Sequence, residues 1–288
     1  AVNNDTVDRL VIFSREAKGD VAPDRELHTP HGTFGITVDE ANQEMFLTVQ
    51  HSNAVVVYDK MAVDEEPPKR LLQGNNTGLA DPHGIALDPT SGLLFVTNHG
   101  SVTRYPENPD SVRDRGGEGK QNWPLGRGQA LPGSGRNLPP SISVYSRTAS
   151  GNDAPLRVIQ GPKARLNWPT GIAVDPERGE LFVANDAGDS VLVFDVNAEG
   201  DVAPIRTIEG PNTRIKSPTG VFVDLENNEL WVSNFGNHTA GVYELTASGD
   251  TAPLRVIRSG PLDAGAPGLG NPHPLAYDTK REQILVPN

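Results

Sequence analysis

The chain repeats itself, and this internal period restricts its fold more than any other property of the sequence. Trp168-Pro169-Thr170-Gly171-Ile172-Ala173-Val174-Asp175 aligns with Ser217-Pro218-Thr219-Gly220-Val221-Phe222-Val223-Asp224, and Asp81-Pro82-His83-Gly84-Ile85-Ala86-Leu87-Asp88 aligns with both. Two diverged copies complete the set: Thr29-Pro30-His31-Gly32 leading to Ile36-Thr37-Val38-Asp39, and Asn271-Pro272-His273-Pro274-Leu275-Ala276-Tyr277-Asp278. Pro169 and Pro218 lie 49 residues apart and Pro218 and Pro272 54, whereas Pro82 and Pro169 are separated by 87, which marks an insertion. Self-similarity at such a spacing belongs to architectures built by repeating one supersecondary unit.

Each unit holds four short apolar runs, best seen in the third: Gly171 to Asp175, Leu181 to Asn185, Ser190 to Phe194 and Ile205 to Ile208. They are rich in Val, Ile and Leu and are bounded by Gly, Asn, Asp and Pro, so they read as strands joined by hairpins. A second signature recurs between the third and fourth runs, as in Gly200-Asp201-Val202-Ala203-Pro204 and Gly249-Asp250-Thr251-Ala252-Pro253. Here glycine serves a tight turn and proline opens an outer, edge-type strand. Gly 30 and Pro 25 supply enough turn formers for many such strands. Four antiparallel strands per period of roughly 50 residues is the arithmetic of a β-propeller blade, so the expected fold is all-β.

Blades 1 to 4 are expected at about residues 29–74, 79–161, 166–210 and 215–260. The ends hold half a unit each, so residues 270–288 plus 1–27 are expected to make a fifth blade that closes the ring. That closure would hide free sheet edges. A cut from a longer repeat array is the alternative, because Val286-Pro287-Asn288 stops where Val183-Ala184-Asn185 runs on into a third strand.

Pro169 to Asp175 with Leu181-Phe182-Val183-Ala184-Asn185, and Pro218 to Asp224 with Leu230-Trp231-Val232-Ser233-Asn234, resemble the repeats of the NHL propeller family. The resemblance covers nearly the whole chain outside the insertion, although the family usually has six blades. It implies the propeller fold and leaves function open, since the family hosts protein-binding platforms, RNA binders and lyases, with lactonases among its relatives.

Residues that recur in every unit are explained by the blade itself. Asp39, Asp88, Asp175, Asp224 and Asp278 share one turn register, where a carboxylate accepts backbone N–H groups. Residues that break the repeat carry more information. At the middle position of Pro-x-Gly, Thr170 and Thr219 give way to His31, His83 and His273 on three consecutive blades, at the expected mouth of the central channel. Three imidazoles suit zinc with one position left open, and calcium is the other candidate ion. The ends of the second strands add His51, His99 and His238, so six of the seven histidines map to one face. The amidating lyases of the resembled family, which hold zinc with channel histidines, sharpen this reading; a rim of neutral imidazoles bonding carbonyls is the plain alternative.

The insertion, about residues 99–140, leaves from the same face and carries Arg113, Arg115, Lys120 and Trp123, the composition of a contact surface. It lacks the Gly-x-x-x-x-Gly-Lys-[Ser/Thr] pattern of a phosphate loop, and the chain has neither a Gly-x-Ser-x-Gly elbow nor a His-Glu-x-x-His helix.

The charge balance of 25 basic to 37 acidic residues, 25 − 37 = −12, argues against nucleic acid as a partner. No apolar stretch is long enough to span a membrane as a helix, and Cys 0 rules out disulfides and thiolate metal sites. The leading expectation is therefore a non-catalytic, extracellular or periplasmic propeller that binds a protein or an extracellular polymer. A metal-dependent lyase or hydrolase with His31, His83 and His273 around its ion is the alternative.

Overall fold

The computed structural model of the chain describes residues 2–3, 8–102, 134–258, 272, 276–278 and 283–285. β1 (Val2–Asn3), β2 (Arg9–Ile12) and β3 (Arg25–His28) form a first sheet. Four antiparallel four-stranded sheets follow. Blade 1 consists of β4 (Thr33–Asp39), β5 (Glu44–Val49), β6 (Ala54–Asp59) and β7 (Arg70–Gln73). Blade 2 opens with β8 (Pro82–Asp88) and β9 (Leu93–Asn98). A small ladder of β10 (Ser101–Val102) with β11 (Arg136–Asn137) then precedes β12 (Ser141–Ser146) and β13 (Arg157–Gln160). Blade 3 comprises β14 (Pro169–Asp175), β15 (Glu180–Asn185), β16 (Ser190–Asp195) and β17 (Arg206–Glu209). Blade 4 comprises β18 (Pro218–Asp224), β19 (Glu229–Asn234), β20 (Thr239–Glu244) and β21 (Arg255–Ile257). A hairpin of β22 (Ala276–Asp278) and β23 (Gln283–Leu285) ends the described chain.

The apolar residues of each strand are buried between blades, which explains why the period had to be read as a ring of units. Phe95, Ile142 and Val144 of blade 2 share a cluster with Leu181, Val183 and Phe194 of blade 3. Phe182, Val191 and Val193 share the next with Leu230, Val232 and Tyr243 of blade 4. Leu10 and Leu27, from β2 and β3, enter the cluster of Met45, Leu47 and Tyr58 in blade 1, so this pair sits where a preceding blade would. At the other end, Thr219 Oγ1 donates to the carbonyl of Pro272 at 2.6 Å, just ahead of β22.

Among the described residues no ladder joins β2 to β23, and β1 pairs with the edge of β2 that a closing strand at 283–286 would take. The fifth blade therefore stands as a proposal beside four complete ones.

Adjacent blades are also fastened at both rims. On the inner side the strands approach so closely that only glycine fits. A Cβ at Gly35 would overlap the carbonyl oxygen of His83, and one at Gly84 that of Thr170. The same carbonyls accept from threonines one strand over: Thr48 Oγ1 to His83 O at 2.5 Å and Thr97 Oγ1 to Thr170 O at 2.7 Å. On the outer side, the turn that begins at Gly151, Gly200 or Gly249 in blades 2 to 4 pairs with the last strand of the blade before it. Gly151 N–H donates to Leu71 O at 2.6 Å while Gln73 N–H donates to Gly151 O at 2.7 Å, and Gly200 and Gly249 repeat the exchange with Val158 and Gln160, and with Thr207 and Glu209. These glycines have φ of +57°, +75° and +66°, and in the equivalent place Asp64, at +51°, pairs with Leu27. The signature read as a turn is thus a staple between blades.

Within blades 1, 3 and 4 an arginine on the outer strand clasps a glutamate on the second. Arg70 holds Glu44 with two bonds of 2.6 and 2.7 Å, Arg255 holds Glu229 with two of 2.6 Å, and Arg206 holds Glu180. The Arg70 guanidinium lowers the Glu44 carboxyl from 4.5 to about 2. A depressed carboxylate stabilises the fold above pH 4.5, and that contribution fades as pH falls toward 2. Blade 2 has Leu93 at the glutamate position, and Arg157 keeps the bond to the next blade's carbonyl, Val196 O at 2.7 Å, that Arg70 and Arg206 make to Arg147 O and Leu245 O. The aspartates of the repeat accept turn amides as the sequence implies, for example Glu177 and Arg178 N–H on Asp175 at 2.9 and 3.0 Å.

Gly84→Ala is expected to destabilise the protein by about 1–3 kcal/mol, the usual cost of overpacking, and so to lower its melting temperature by several degrees. Gly135→Ala, where an added Cβ meets nothing within 4 Å, is the matched control and should melt like the parent. Calorimetric melting of both variants checks this.

Candidate functional site

The site grows from the turn that leads into each inner strand. Immediately before the proline of that strand, Asp81, Trp168 and Ser217 adopt φ of +58°, +51° and +43°. Residues with a Cβ rarely take this conformation, which persists only where surrounding bonds enforce it. Here the carbonyls of Asp81, Trp168 and Ser217 accept the N–H of His99, Asp186 and Phe235 at 3.1, 3.1 and 3.0 Å. Asn53 and Asp189, at the turn of the preceding blade, accept the N–H of Asp81 and Ser217 at 2.7 and 2.8 Å. The carbonyl bond recurs in all three turns while the side chain varies, and blade 3 presents tryptophan there.

Trp168 is 56% exposed and heads a column of rings that crosses three blades. Its indole stacks on His99 with centroids 5.1 Å apart and planes 17° apart, and His99 stacks on His83 at 3.5 Å and 17°. Phe34 of blade 1 closes the column against His83, tilted by 59° at 4.3 Å. The two imidazoles are almost fully buried, at 6% and 8% exposure. Asp81 lies beside both: its Oδ1 is 3.8 Å from His83 Nδ1 and its Oδ2 is 3.8 Å from His99 Nδ1, while His83 Nδ1 is also 3.2 Å from the Asp81 carbonyl. Asp81 Oδ1 and His99 Nε2 are buried without a hydrogen-bond partner among the described residues. Burial, reinforced by the neighbouring His83, depresses the His99 imidazole from 6.5 to about 3.

Among the described histidines expected at one mouth, His31 pairs with His51, His83 pairs with His99, and His238 stands apart. In blade 1 the inner strand registers through Gly35 and Asp39, so Phe34 occupies the position of His83, Thr170 and Thr219. Thr29-Pro30-His31-Gly32 lies ahead of that strand, and the expected alignment of His31 with His83 is corrected accordingly. The physical reason is the inner-rim fit, which needs glycine where Gly35 meets the His83 carbonyl. His31 is exposed, bonds Asp8 at 2.9 Å and lies 5.7 Å from the ring of His51. His99 joins His83, whereas His238 stands half-exposed at φ +57° in the turn of blade 4 equivalent to Asp189 and Asn53. Thr170 and Thr219 are buried latches, donating to Pro218 O at 3.0 Å and Pro272 O at 2.6 Å. His273, Arg113, Arg115, Lys120 and Trp123 lie outside the described residues. The insertion leaves directly after His99: Gly100 N–H donates to Ala80 O at 2.9 Å, and the β10–β11 ladder closes its base.

Zinc held by one histidine from each of His31, His83 and His273 does not fit this arrangement, because His31 is engaged with Asp8 and His51 apart from the column. Calcium prefers about six to eight oxygen ligands, and the repeat aspartates are spent on turn amides. Among the described residues the one group able to offer three ligand atoms within 4.8 Å of one another is Asp81, His83 and His99. The sequence reading passed over Asp81, Trp168 and Phe34. The signal was present in the residue before the repeat proline, which changes from Asp81 to Trp168 to Ser217 while its surroundings stay constant.

Neither a family model nor a curated protein sequence matches the chain. Solved structures do. A nidogen/laminin complex aligns over 97% of this chain and 81% of that one, with TM-score 0.60 and 15% identity. A functionally unknown protein from Desulfotomaculum acetoxidans aligns over 100% and 71%, with TM-score 0.59 and 13% identity. The β-propeller domain of Cps50 (Swd1) from Myceliophteria thermophila aligns over 88% and 62%, with TM-score 0.51 and 9% identity. At these identities the likeness is one of fold, and with the four meandering blades it makes the chain a β-propeller.

The depressed imidazole of His99 has a direct readout. Its folded-state value lies below 6.5, so the unfolded chain takes up the proton first, and the stability held by the neutral ring is lost as pH falls from 6.5 toward 3. The ring resonances of His99 in nuclear magnetic resonance, assigned with His99→Asn, should stay constant from about pH 8 to about pH 5. A titration midpoint near 6.5 would contradict the buried stack.

Proposed function

We propose that this propeller is an NHL-type, non-catalytic binding module whose recognition surface is the mouth around Trp168, and that its partner is a protein. The observation that carries the reading is Trp168 itself. A large aromatic ring stands half in solvent on an enforced backbone turn, with its inner face supported by buried His99 and His83. A rigid aromatic of this kind contributes contact area at little entropic cost, and such residues dominate binding energy at interfaces. The Pro-x-Gly and Leu-[Phe/Trp]-Val repeats support the NHL assignment. The nidogen structure, similar in fold, is of a complex with laminin, which agrees with a binding role. An extracellular or periplasmic setting belongs to the same proposal and rests on composition alone. A lyase or hydrolase reading is less well supported, because His31 and His83 of its expected histidine triad have separate partners, Asp8 with His51 and Asp81 with His99.

Binders selected against the chain from a displayed random-peptide library test the proposal. Peptides that use the mouth should lose roughly 30-fold or more in affinity on Trp168→Ala, the size expected for an aromatic anchor, while the melting temperature stays within a degree or two. The rival surface is the outer rim, where Leu156, Ile205 and Leu254 are 60%, 54% and 52% exposed at equivalent positions of blades 2 to 4. Selected peptides that tolerate Trp168→Ala but fail when a rim side chain is truncated, as in Ile205→Ser, would move the binding surface there.

A further inference from the structure

We propose that Asp81, His83 and His99 form a site for one divalent cation of the zinc class, built within a single blade. The three donors come from one short piece of ladder. Pro82 pairs with Asn98, so the residues that follow them, His83 and His99, and the residue that precedes Pro82, Asp81, are brought to one corner of β8 and β9 by register alone. The staple of the Asp81 N–H to Asn53 and the bond from His99 N–H to the Asp81 carbonyl fix the backbone of that corner. The donor atoms all lie within 4.8 Å of one another.

Tetrahedral zinc, with bonds of about 2.0–2.1 Å, holds its donor atoms about 3.3 Å apart. The 3.8 Å gaps from His83 Nδ1 to Asp81 Oδ1 and from His99 Nδ1 to Asp81 Oδ2 close to that separation with small side-chain rotations. Two imidazoles and one carboxylate suit zinc, cobalt(II) or nickel(II) and select against calcium and magnesium, which take oxygen ligands. A cation would also satisfy Asp81 Oδ1, which is buried without a hydrogen-bond partner among the described residues. Three protein ligands leave a fourth position open.

The stacked rings add a mechanical consequence. Each Nδ1 lone pair lies in its ring plane, and planes 17° apart across a 3.5 Å stack do not meet at bonding distance, so both rings reach one ion only if one of them turns about its χ2 axis. Trp168 rests on the other face of His99 and must respond. Cation binding and the exposed indole are thereby coupled through one imidazole. This inference concerns the ion alone and stands whether or not Trp168 serves as a partner anchor.

Titration of the dialysed full chain with Co2+ and with Zn2+, followed by calorimetry, Co2+ absorption and tryptophan fluorescence, tests the site. The expected result is one ion per chain with micromolar or tighter affinity, weakened at least tenfold by His99→Ala, by His83→Ala and by the near-isosteric Asp81→Asn, which keeps the turn should a histidine variant fail to fold. Trp168→Phe should retain the affinity and lose the fluorescence change. Double replacement of His31 and His51 by Ala should leave binding unaltered, and millimolar Ca2+ should not displace Co2+. Absence of stoichiometric binding to the parent chain, binding that survives Asp81→Asn together with His99→Ala, or binding abolished by the His31/His51 pair would each overturn the proposal.

Discussion

The structure depends on the packing of one blade against the next. A four-stranded sheet of this size cannot bury its own apolar side chains, and here each face is covered only by the neighbouring blade: Phe182, Val191 and Val193 have no core except the one completed by Leu230, Val232 and Tyr243. Association of sheets must therefore be specified by more than hydrophobicity. Two sets of directional bonds do this. Inner-rim threonines reach carbonyls of the following blade across glycines that admit no side chain, and outer-rim turns exchange paired backbone bonds with the blade before. The blades are thus fastened by contacts that lie at both ends of each sheet.

That arrangement separates what must be kept from what can change. At the turn before each inner strand the backbone is bonded at its carbonyl in all four complete blades, yet the residue there is Gly32, Asp81, Trp168 or Ser217. A similar freedom exists at the second residue of the inner strand, where Phe34, His83, Thr170 and Thr219 share a register. Thr170 and Thr219 spend it on latching blades. Phe34 and His83 spend it on the ring column, and the latch between blades 1 and 2 is supplied instead by Thr48. The candidate site is the part of the ring where the repeat has released residues from structural duty.

Much of the fold was legible in the sequence because its determinants are periodic. The apolar runs of blade 3, the turn aspartate and the Pro-x-Gly start all recur at spacings that only a stacked β-unit accommodates, and strands β14 to β17 fall where those runs do. His31 was misplaced because blade 1 contains two candidate starts, Pro30-His31-Gly32 and Thr33-Phe34-Gly35. Only the distance from glycine to the turn aspartate, four residues in Gly35 to Asp39 as in Gly84 to Asp88, distinguishes them. The staple role of Gly151, Gly200 and Gly249 was hidden for a different reason, since a glycine in a turn and a glycine paired across blades carry the same local signature. Trp168 and Asp81 were missed because a residue before proline reads as linker, and their partners, His99 and Asn53, are distant in sequence.

Hydrogen exchange of the backbone amides of Gly151, Gly200 and Gly249 tests most directly whether the ring behaves as one stapled unit. All three sit in surface turns, yet each donates to the preceding blade at 2.6 to 2.7 Å. If the blades are joined as described, these amides should exchange as slowly as those of the innermost strands and open only with the global unfolding of the protein. Exchange at the rate of free loop amides, with protected inner strands, would show that each blade holds its own turn and that the outer rim does not fasten the ring.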